Sequence, residues 1–145
     1  MQKGSIASIN ISKKKGGKKH PVVEASLGSR GIKGDGHSGD WHRQVSLLSA
    51  ESIRAINLQG IEAVPGDFAE NITTSRLPLK KLQVGDIIKV GNDKASLEVT
   101  QIGKQCLHPC RIYYQLGSCI MPQEGVFCRV RKPGDIKVGD KLEIV

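Results

Sequence analysis

The sequence predicts a mainly β fold, a closed or nearly closed β-barrel with one or two short helices, in a single domain spanning residues 1–145. Three observations carry this. Short runs that alternate apolar and polar residues recur along the chain, punctuated by Gly, Pro, Asn and Asp. One stretch alone combines helical spacing with a start and a stop signal. Two copies of a Val-Gly-Asp turn, in "LQVGDIIKV" (82–90) and "IKVGDKLEIV" (136–145), each feed an alternating strand, as two similar corners of one barrel would.

Taken in order, "SIASINIS" (5–12) sets Ala7, Ile9 and Ile11 against polar neighbours and reads as a half-buried strand. "PVVEASL" (21–27) reads as its partner across the Gly-Gly turn in "KKKGGKKH" (13–20), which makes residues 5–27 a hairpin. The five lysines of that turn read as a solvated tip, with phosphate contact as the functional alternative. "SAESIRAINLQG" (49–60) reads as a helix: Ser49 caps it, Glu51 suits its positive end, Ala50, Ile53 and Ile56 share a face, and Gly60 supplies a left-handed stop. "ASLEVTQI" (95–102) and "GVFCRV" (125–130) bring the count to about eight strands, and a second short helix is expected around 108–117.

A chain of 145 residues and 15.7 kDa buries roughly 68–70% of its unfolded surface, so it folds without a metal or disulfide staple. Aliphatic residues must build the core, because Trp41, Phe68, Tyr113, Tyr114 and Phe127 are the only aromatics. "MQKGSIASINIS" has no apolar run of signal-peptide length, and no stretch of about 18 apolar residues follows. A cytoplasmic protein with reduced cysteines and no membrane partner is the expectation. The formal net charge of +8 favours an anionic partner. Nucleic acid is disfavoured, since stacking aromatics are few and no helix-turn-helix, RRM or zinc-finger spacing occurs.

Three stretches could carry chemistry. The glycine-dense "GSRGIKGDGHSGDWHRQVSLLS" (28–49) intersperses Arg30, Lys33, His37, His42 and Arg43. It reads as a mobile surface loop or, if its N–H groups converge, as an anion-holding loop; it matches neither a P-loop nor a dinucleotide fingerprint. Trp41 reads as a plug for a barrel end. In "VPGDFAENITT" (64–74), Asn71 and Thr73 share a strand face and either line a pocket or satisfy backbone at the barrel rim.

The third stretch is "CLHPCRIYYQLGSC" (106–119), where the spacing is C-x3-C-x8-C and Cys128 follows in an apolar strand. Structural zinc sites pair close ligands on both sides, and only Cys106 and Cys110 are close. Cys128 reads as a buried, inert thiol. Cys106 follows a strand end, with Lys104, His108 and Arg111 near in sequence. A free thiol near pKa 8.5 is only about 3% thiolate at pH 7, and cationic neighbours raise that fraction. Such a thiolate binds soft or high-valent metal, or carries sulfur. A merely semi-buried cysteine is the plain alternative.

"GDGHSGDWHRQVSLLSAESI" (34–53), "PGDFAENITT" (65–74), "LQVGDIIKVG" (82–91), "LEVTQIGKQC" (97–106) and "IMPQEGVFCRV" (120–130) together resemble a stand-alone MOSC domain, the domain found at the C-terminus of molybdenum-cofactor sulfurases. The resemblance runs from about residue 4 to 145 with its motifs in family order. It implies a MOSC-like β-barrel and binding of the molybdenum cofactor (molybdopterin), a phosphorylated, anionic pterin dithiolene. By position it implies Cys106 as the metal ligand or sulfur carrier, and Asn71 and Thr73 as pocket-lining residues. His37, Arg43, Lys104 and Arg111 are the basic residues it offers for phosphate or pterin contact. Longer relatives carry Pro-Arg before the cysteine, where this chain has Gly103, Lys104 and Gln105. Lys104 replaces only part of what a planar guanidinium does.

The resemblance implies cofactor transfer, storage or sulfuration, with cofactor-biosynthesis, sulfurase or molybdoenzyme proteins as partners. These 145 residues hold nothing resembling the pyridoxal-phosphate desulfurase domain of the larger enzymes, so pyridoxal phosphate is expected to act only through a separate protein. Whether the chain is itself a sulfur-carrier transferase is left open. Two other readings stay open. One is a small molybdenum-dependent reductase awaiting an electron-transfer partner; the other is a zinc- or cysteine-based structural module.

Overall fold

The computed structural model describes residues 2–14, 18–104 and 120–145. Strand β1 (Gln2–Ile11) is the longest of the described strands and holds the barrel closed. It pairs antiparallel with β11 (Lys141–Ile144) near its start, and with β6 (Ile72–Ser75) and β2 (His20–Val22) further along. The remaining wall runs from β11 through β7 (Ile87–Val90), β8 (Ala95–Ile102), β9 (Val126–Lys132) and β5 (Val45–Ser49) to β6. A seven-stranded barrel closes in this way, with β2 added beside β1.

The hairpin expected over 5–27 forms, with Ile9 opposite Val22 and Ile11 opposite His20. Its second arm, however, is two strands. Pro21 sits in the edge strand β2, where a missing N–H is tolerated. The chain bends at exposed Val23, and β3 (Glu24–Gly28) leaves for a separate sheet with β10 (Gly134–Lys137) and β4 (Gly31–Ile32). That bend is one reason the described residues hold more strands than the sequence suggested.

Both Val-Gly-Asp corners take the form their residues dictate. In each, the Asp side chain accepts the N–H of the residue three before it, Asp86 from Gln83 at 2.8 Å and Asp140 from Lys137 at 2.9 Å. Gly85 and Gly139 supply the left-handed backbone, at φ 98° and 93°. The strands they feed, β7 and β11, pair with each other, Val90 opposite Leu142.

Strands β5 and β6 are the one parallel pair among the described strands, Leu47 opposite Ile72, joined by a crossover through α1 (Ala50–Asn57). As the sequence predicts, the Ser49 hydroxyl caps α1, accepting the Ser52 N–H at 3.0 Å. Gly60 adopts φ 100° after the last turn. A one-turn helix, α2 (Met121–Glu124), precedes β9.

Alternation divides the core in two. Val45, Leu47, Ile72, Leu97, Val99, Val126 and Cys128 face the barrel interior with the other residues of the larger cluster. Their neighbours Leu48 and Phe127 face outward, where Ile53, Ala63, Phe68, Ile120 and Met121 cover them. The outer face of β1, β5 and β6 also carries Ser8, Asn10, Ser46 and Thr73, with Asn71 just before β6, all buried. Polar groups there must find partners, and the site grows from those partners.

Candidate functional site

The glycine-dense segment is built around one carboxylate. Residues 32–35 form a turn closed by the Asp35 N–H on the Ile32 carbonyl at 3.1 Å, with Gly34 at φ 87°. The Asp35 side chain is not used to cap its own turn. It accepts the Ser12 N–H at 3.1 Å, the His37 N–H at 3.0 Å and the Lys19 ammonium at 2.7 Å. Lys19 and Asp35 side chains are both 0% exposed. Burial pushes the Asp35 carboxyl up, but the Lys19 hydrogen bond and charge, the Ser12 N–H and the Asn71 side chain together hold it below its ordinary value. Lys19 was expected among the solvated lysines of the hairpin tip; instead it is folded inward onto this carboxylate.

From Asp35 the order spreads along the loop. The Lys19 Nζ also lies 3.1 Å from Nδ1 of His37. The His37 ring lies nearly parallel to Trp41, centroids 6.3 Å apart at 10°, and the Trp41 indole N–H donates to the His37 carbonyl at 2.9 Å. The Arg43 guanidinium sits 4.8 Å from the Trp41 ring centroid and 5.5 Å from that of Phe127. Thr100 donates to the His42 carbonyl at 2.5 Å, and Gln44 bonds Ser29, Gly39 and Val130. The segment is therefore braced by its own side chains, a correction to the mobile loop expected from its glycines. Trp41, expected as a barrel plug, belongs to neither apolar cluster of the described residues; its N–H needs an acceptor, which the loop provides.

Asn71 and Thr73 lie beneath this loop and are fully buried. The Asn71 side-chain oxygen accepts the Ser46 backbone N–H at 3.0 Å, and its side-chain amide donates to the Asn10 backbone carbonyl at 3.2 Å. Thr73 donates to Glu70 Oε2 at 2.8 Å and accepts from the Asn10 amide at 3.0 Å. Of the two roles the sequence left open, these contacts are those of groups satisfying the fold. Burial raises the Glu70 carboxyl above its ordinary value, despite the Gly66 N–H at 3.0 Å and the Thr73 hydroxyl. The Gly66 carbonyl in turn accepts the Lys19 N–H at 2.8 Å, so both layers form one network.

Lys104 stands at the stem of the cysteine stretch. Strand β8 ends at Ile102; the Gly103 N–H then donates to the Gly125 carbonyl at 2.7 Å and the Lys104 N–H to that of Pro122 at 3.1 Å. Cys106, His108, Cys110, Arg111, Cys119 and the helix expected over 108–117 lie outside the described residues. Cys128 is fully buried in the barrel interior, and burial pushes its thiol far up, as the sequence suggested for an inert cysteine. A four-cysteine zinc site would have to draw that thiol out of the core. Among the described residues no group of three or more His, Cys, Asp or Glu could hold a metal ion.

Two adjoining clefts flank the loop. One, of about 400 Å³, is lined by Trp41, His42, Gln44, Arg129 and Arg131; the other, of about 470 Å³, by Arg30, Lys33 and Ser38, and Ser29 borders both. Arg131 and Arg129 share the Glu98 carboxylate and hold it below the usual range. A larger cleft, of about 520 Å³, lies between α1 and residues 76–81 and contains none of the sequence-predicted site residues. Sequence reasoning thus found His37 and Arg43, which the structure brings together around Trp41, and missed Lys19, Asp35 and Glu70. Nothing local marks those three; their roles arise only where the hairpin, the loop and the residues before β6 meet.

A closed barrel whose outer face carries a braced, cation-rich loop defines a small β-barrel domain. The chain belongs to the MOSC domain family, whose model matches residues 34–143. It is similar in fold to the YuaD protein from Bacillus subtilis, with a TM-score of 0.81 at 22% identity over 98% of this chain and 95% of that one. It is also similar to YiiM from Geobacillus stearothermophilus, at 0.73 and 25% identity over 98% and 75%, and to YiiM from Escherichia coli, at 0.72 and 22% over 100% and 70%. A search of the curated proteins gives no match. The MOSC family is generally linked to molybdenum-cofactor binding. No helix among the described residues is long and apolar enough to cross a membrane.

Proposed function

We propose that this chain binds the molybdenum cofactor, or a late precursor of it, and handles metal or sulfur through Cys106 during cofactor transfer, storage or sulfuration in the cytoplasm. The observation that supports it is the prebuilt loop carrying His37, Trp41 and Arg43. Its donor set suits the group: a guanidinium and a flat indole fit an anionic, planar pterin, and Arg30, Lys33, Arg129 and Arg131 nearby fit phosphate. Bound, the cofactor would supply molybdenum and its dithiolene sulfurs. The chain's own part is to hold the anion with Arg43 and Lys104, to donate a hydrogen bond from His37, and to offer the Cys106 and Arg111 stretch. Asn71 and Thr73 act beneath, by fixing the floor on which the loop rests. Sulfurase, biosynthetic or molybdoenzyme proteins are the partners this role requires.

The test is metal and pterin analysis of protein purified without oxygen, wild type beside Cys106→Ser. Molybdenum and pterin in the wild type, lost in the variant, are the expected result. One zinc per chain with no pterin, or a variant that holds molybdenum as the wild type does, overturns the proposal.

A further inference from the structure

We infer that Lys19 is a positioning residue which fixes His37 as its Nε2–H tautomer, so that the loop presents a neutral hydrogen-bond donor and not a metal-binding lone pair at Nε2. Lys19 is an ammonium, because its Nζ lies 2.7 Å from a carboxylate held ionised by the Ser12 and His37 N–H groups. An ammonium has three donors and no acceptor. At 3.1 Å from it, Nδ1 of His37 must therefore be the acceptor and carry no proton. A proton there would set two donors and two like charges head to head. Turning the ring over would replace this hydrogen bond with a C–H facing the ammonium.

The neutral ring then carries its one proton on Nε2. Two further contacts hold that arrangement. The ring is held parallel to Trp41, and the His37 backbone N–H is bound to the same Asp35 carboxylate that holds Lys19. Side-chain exposure of 0% for both Lys19 and Asp35 keeps water from competing for the pair. Whatever faces Nε2 receives a hydrogen bond, which selects an acceptor such as a phosphate oxygen or a sulfur anion. Nε2 is unsuited to ligating a metal or accepting a proton while Lys19 stays in place. That ligand preference rests on the function proposed above; the tautomer does not.

The test is long-range proton–nitrogen NMR of the full ¹⁵N-labelled chain at neutral pH with no cofactor added. His37 is assigned by the signals lost in His37→Gln. The expected wild-type pattern is a single neutral tautomer protonated at Nε2. In Lys19→Met/Asp35→Asn, which leaves no unpaired buried charge, that pattern gives way to tautomer averaging, while barrel amide signals stay in place. A wild-type His37 that is protonated at Nδ1, doubly protonated or averaged overturns the inference. So does a folded double variant that keeps the wild-type pattern. The wild-type spectrum decides the tautomer even where the variant does not fold. Because no cofactor is involved, a chain that holds no molybdenum leaves this result standing, and a different tautomer leaves the metal analysis standing.

Discussion

Gly66 and Lys19 meet backbone to backbone: the Lys19 N–H donates to the Gly66 carbonyl at 2.8 Å, and a Cβ on Gly66 would run into the Lys19 carbonyl oxygen. Gly66 also adopts φ 93°. Gly139 has the same φ of 93° with nothing within 4 Å of where its Cβ would be. Gly139→Ala should therefore cost only the left-handed backbone, about 1–2 kcal/mol. Gly66→Ala carries that cost plus displacement of the hairpin tip, and should lose clearly more. Urea denaturation of both variants measures the difference; equal losses would mean that the close approach is relieved without cost.

Lys19→Met strands the Asp35 carboxylate in the interior, and breaking one side of a buried pair costs about 3–5 kcal/mol. Adding Asp35→Asn should recover much of that loss. The pH dependence follows from the direction of the shift. Asp35 is held below its ordinary 3.8, so its contribution is present above that value and is lost as pH falls through the lower folded one. Stability measured against pH should fall in acid for the wild type, and the double variant should lose the part of that slope below about pH 4.

Glu70 runs the other way. Burial raises its pKa above 4.5, Oε2 takes the Gly66 and Thr73 donors, and Oε1 has no hydrogen-bond partner among the described residues. Its contribution is full below 4.5 and is lost as pH rises through the folded value. Glu70→Gln copies the protonated acid without titrating. It should match the wild type below pH 4.5 and become the more stable form above the folded pKa, by about 1.4 kcal/mol for each pH unit between the two pKa values. Denaturation at acid and neutral pH compares the two.

Asp86, Asp140, Asp67 and Asp35 show which features the sequence discloses. All four follow a glycine in left-handed backbone. Asp86, Asp140 and Asp67 accept an N–H from three residues back, a local bond that the sequence spells out. Asp35 looks the same in sequence, yet its carboxylate serves Lys19, sixteen residues away, and Ser12, twenty-three away. Strand alternation and the Ser49 cap were legible for the same local reason, and they sufficed to predict a barrel with a helix at 49–60. The parallel pairing of β5 with β6, and the burial of Lys19, depend on which segments meet in space. A run of lysines beside Gly-Gly carries no local sign that one of them turns inward.

Cys128 should be the chain's unreactive thiol. It lies in the barrel interior between the positions of Val45 and Val99, and burial pushes its pKa far above the range in which a thiolate forms. Native protein treated with iodoacetamide, then unfolded and mapped by mass spectrometry, should show no modification at Cys128, and unfolding first should expose it. Labelling of Cys128 in the native chain at the rate of a free thiol would contradict its place in the core. Cys128→Ser should destabilise by about 1–3 kcal/mol, since a hydroxyl there would be buried among apolar side chains.

The role given to His37 makes opposite forecasts for two amide substitutions. Gln places its N–H₂ group near the position of the ring Nε2, whereas Asn reaches only as far as Nδ1. If His37 serves the cofactor as an Nε2–H donor, His37→Gln should keep pterin binding close to wild type. His37→Asn and His37→Ala should both lose it. A hydrogen bond to a charged acceptor contributes about 1.5–3 kcal/mol, so the loss should be on the order of 10- to 150-fold in affinity. Pterin retained per chain after purification without oxygen, measured for all three variants beside the wild type, reads this directly. A histidine that held metal through Nε2 would give a different order, because neither amide replaces an imidazole lone pair and Gln would then fail with Asn.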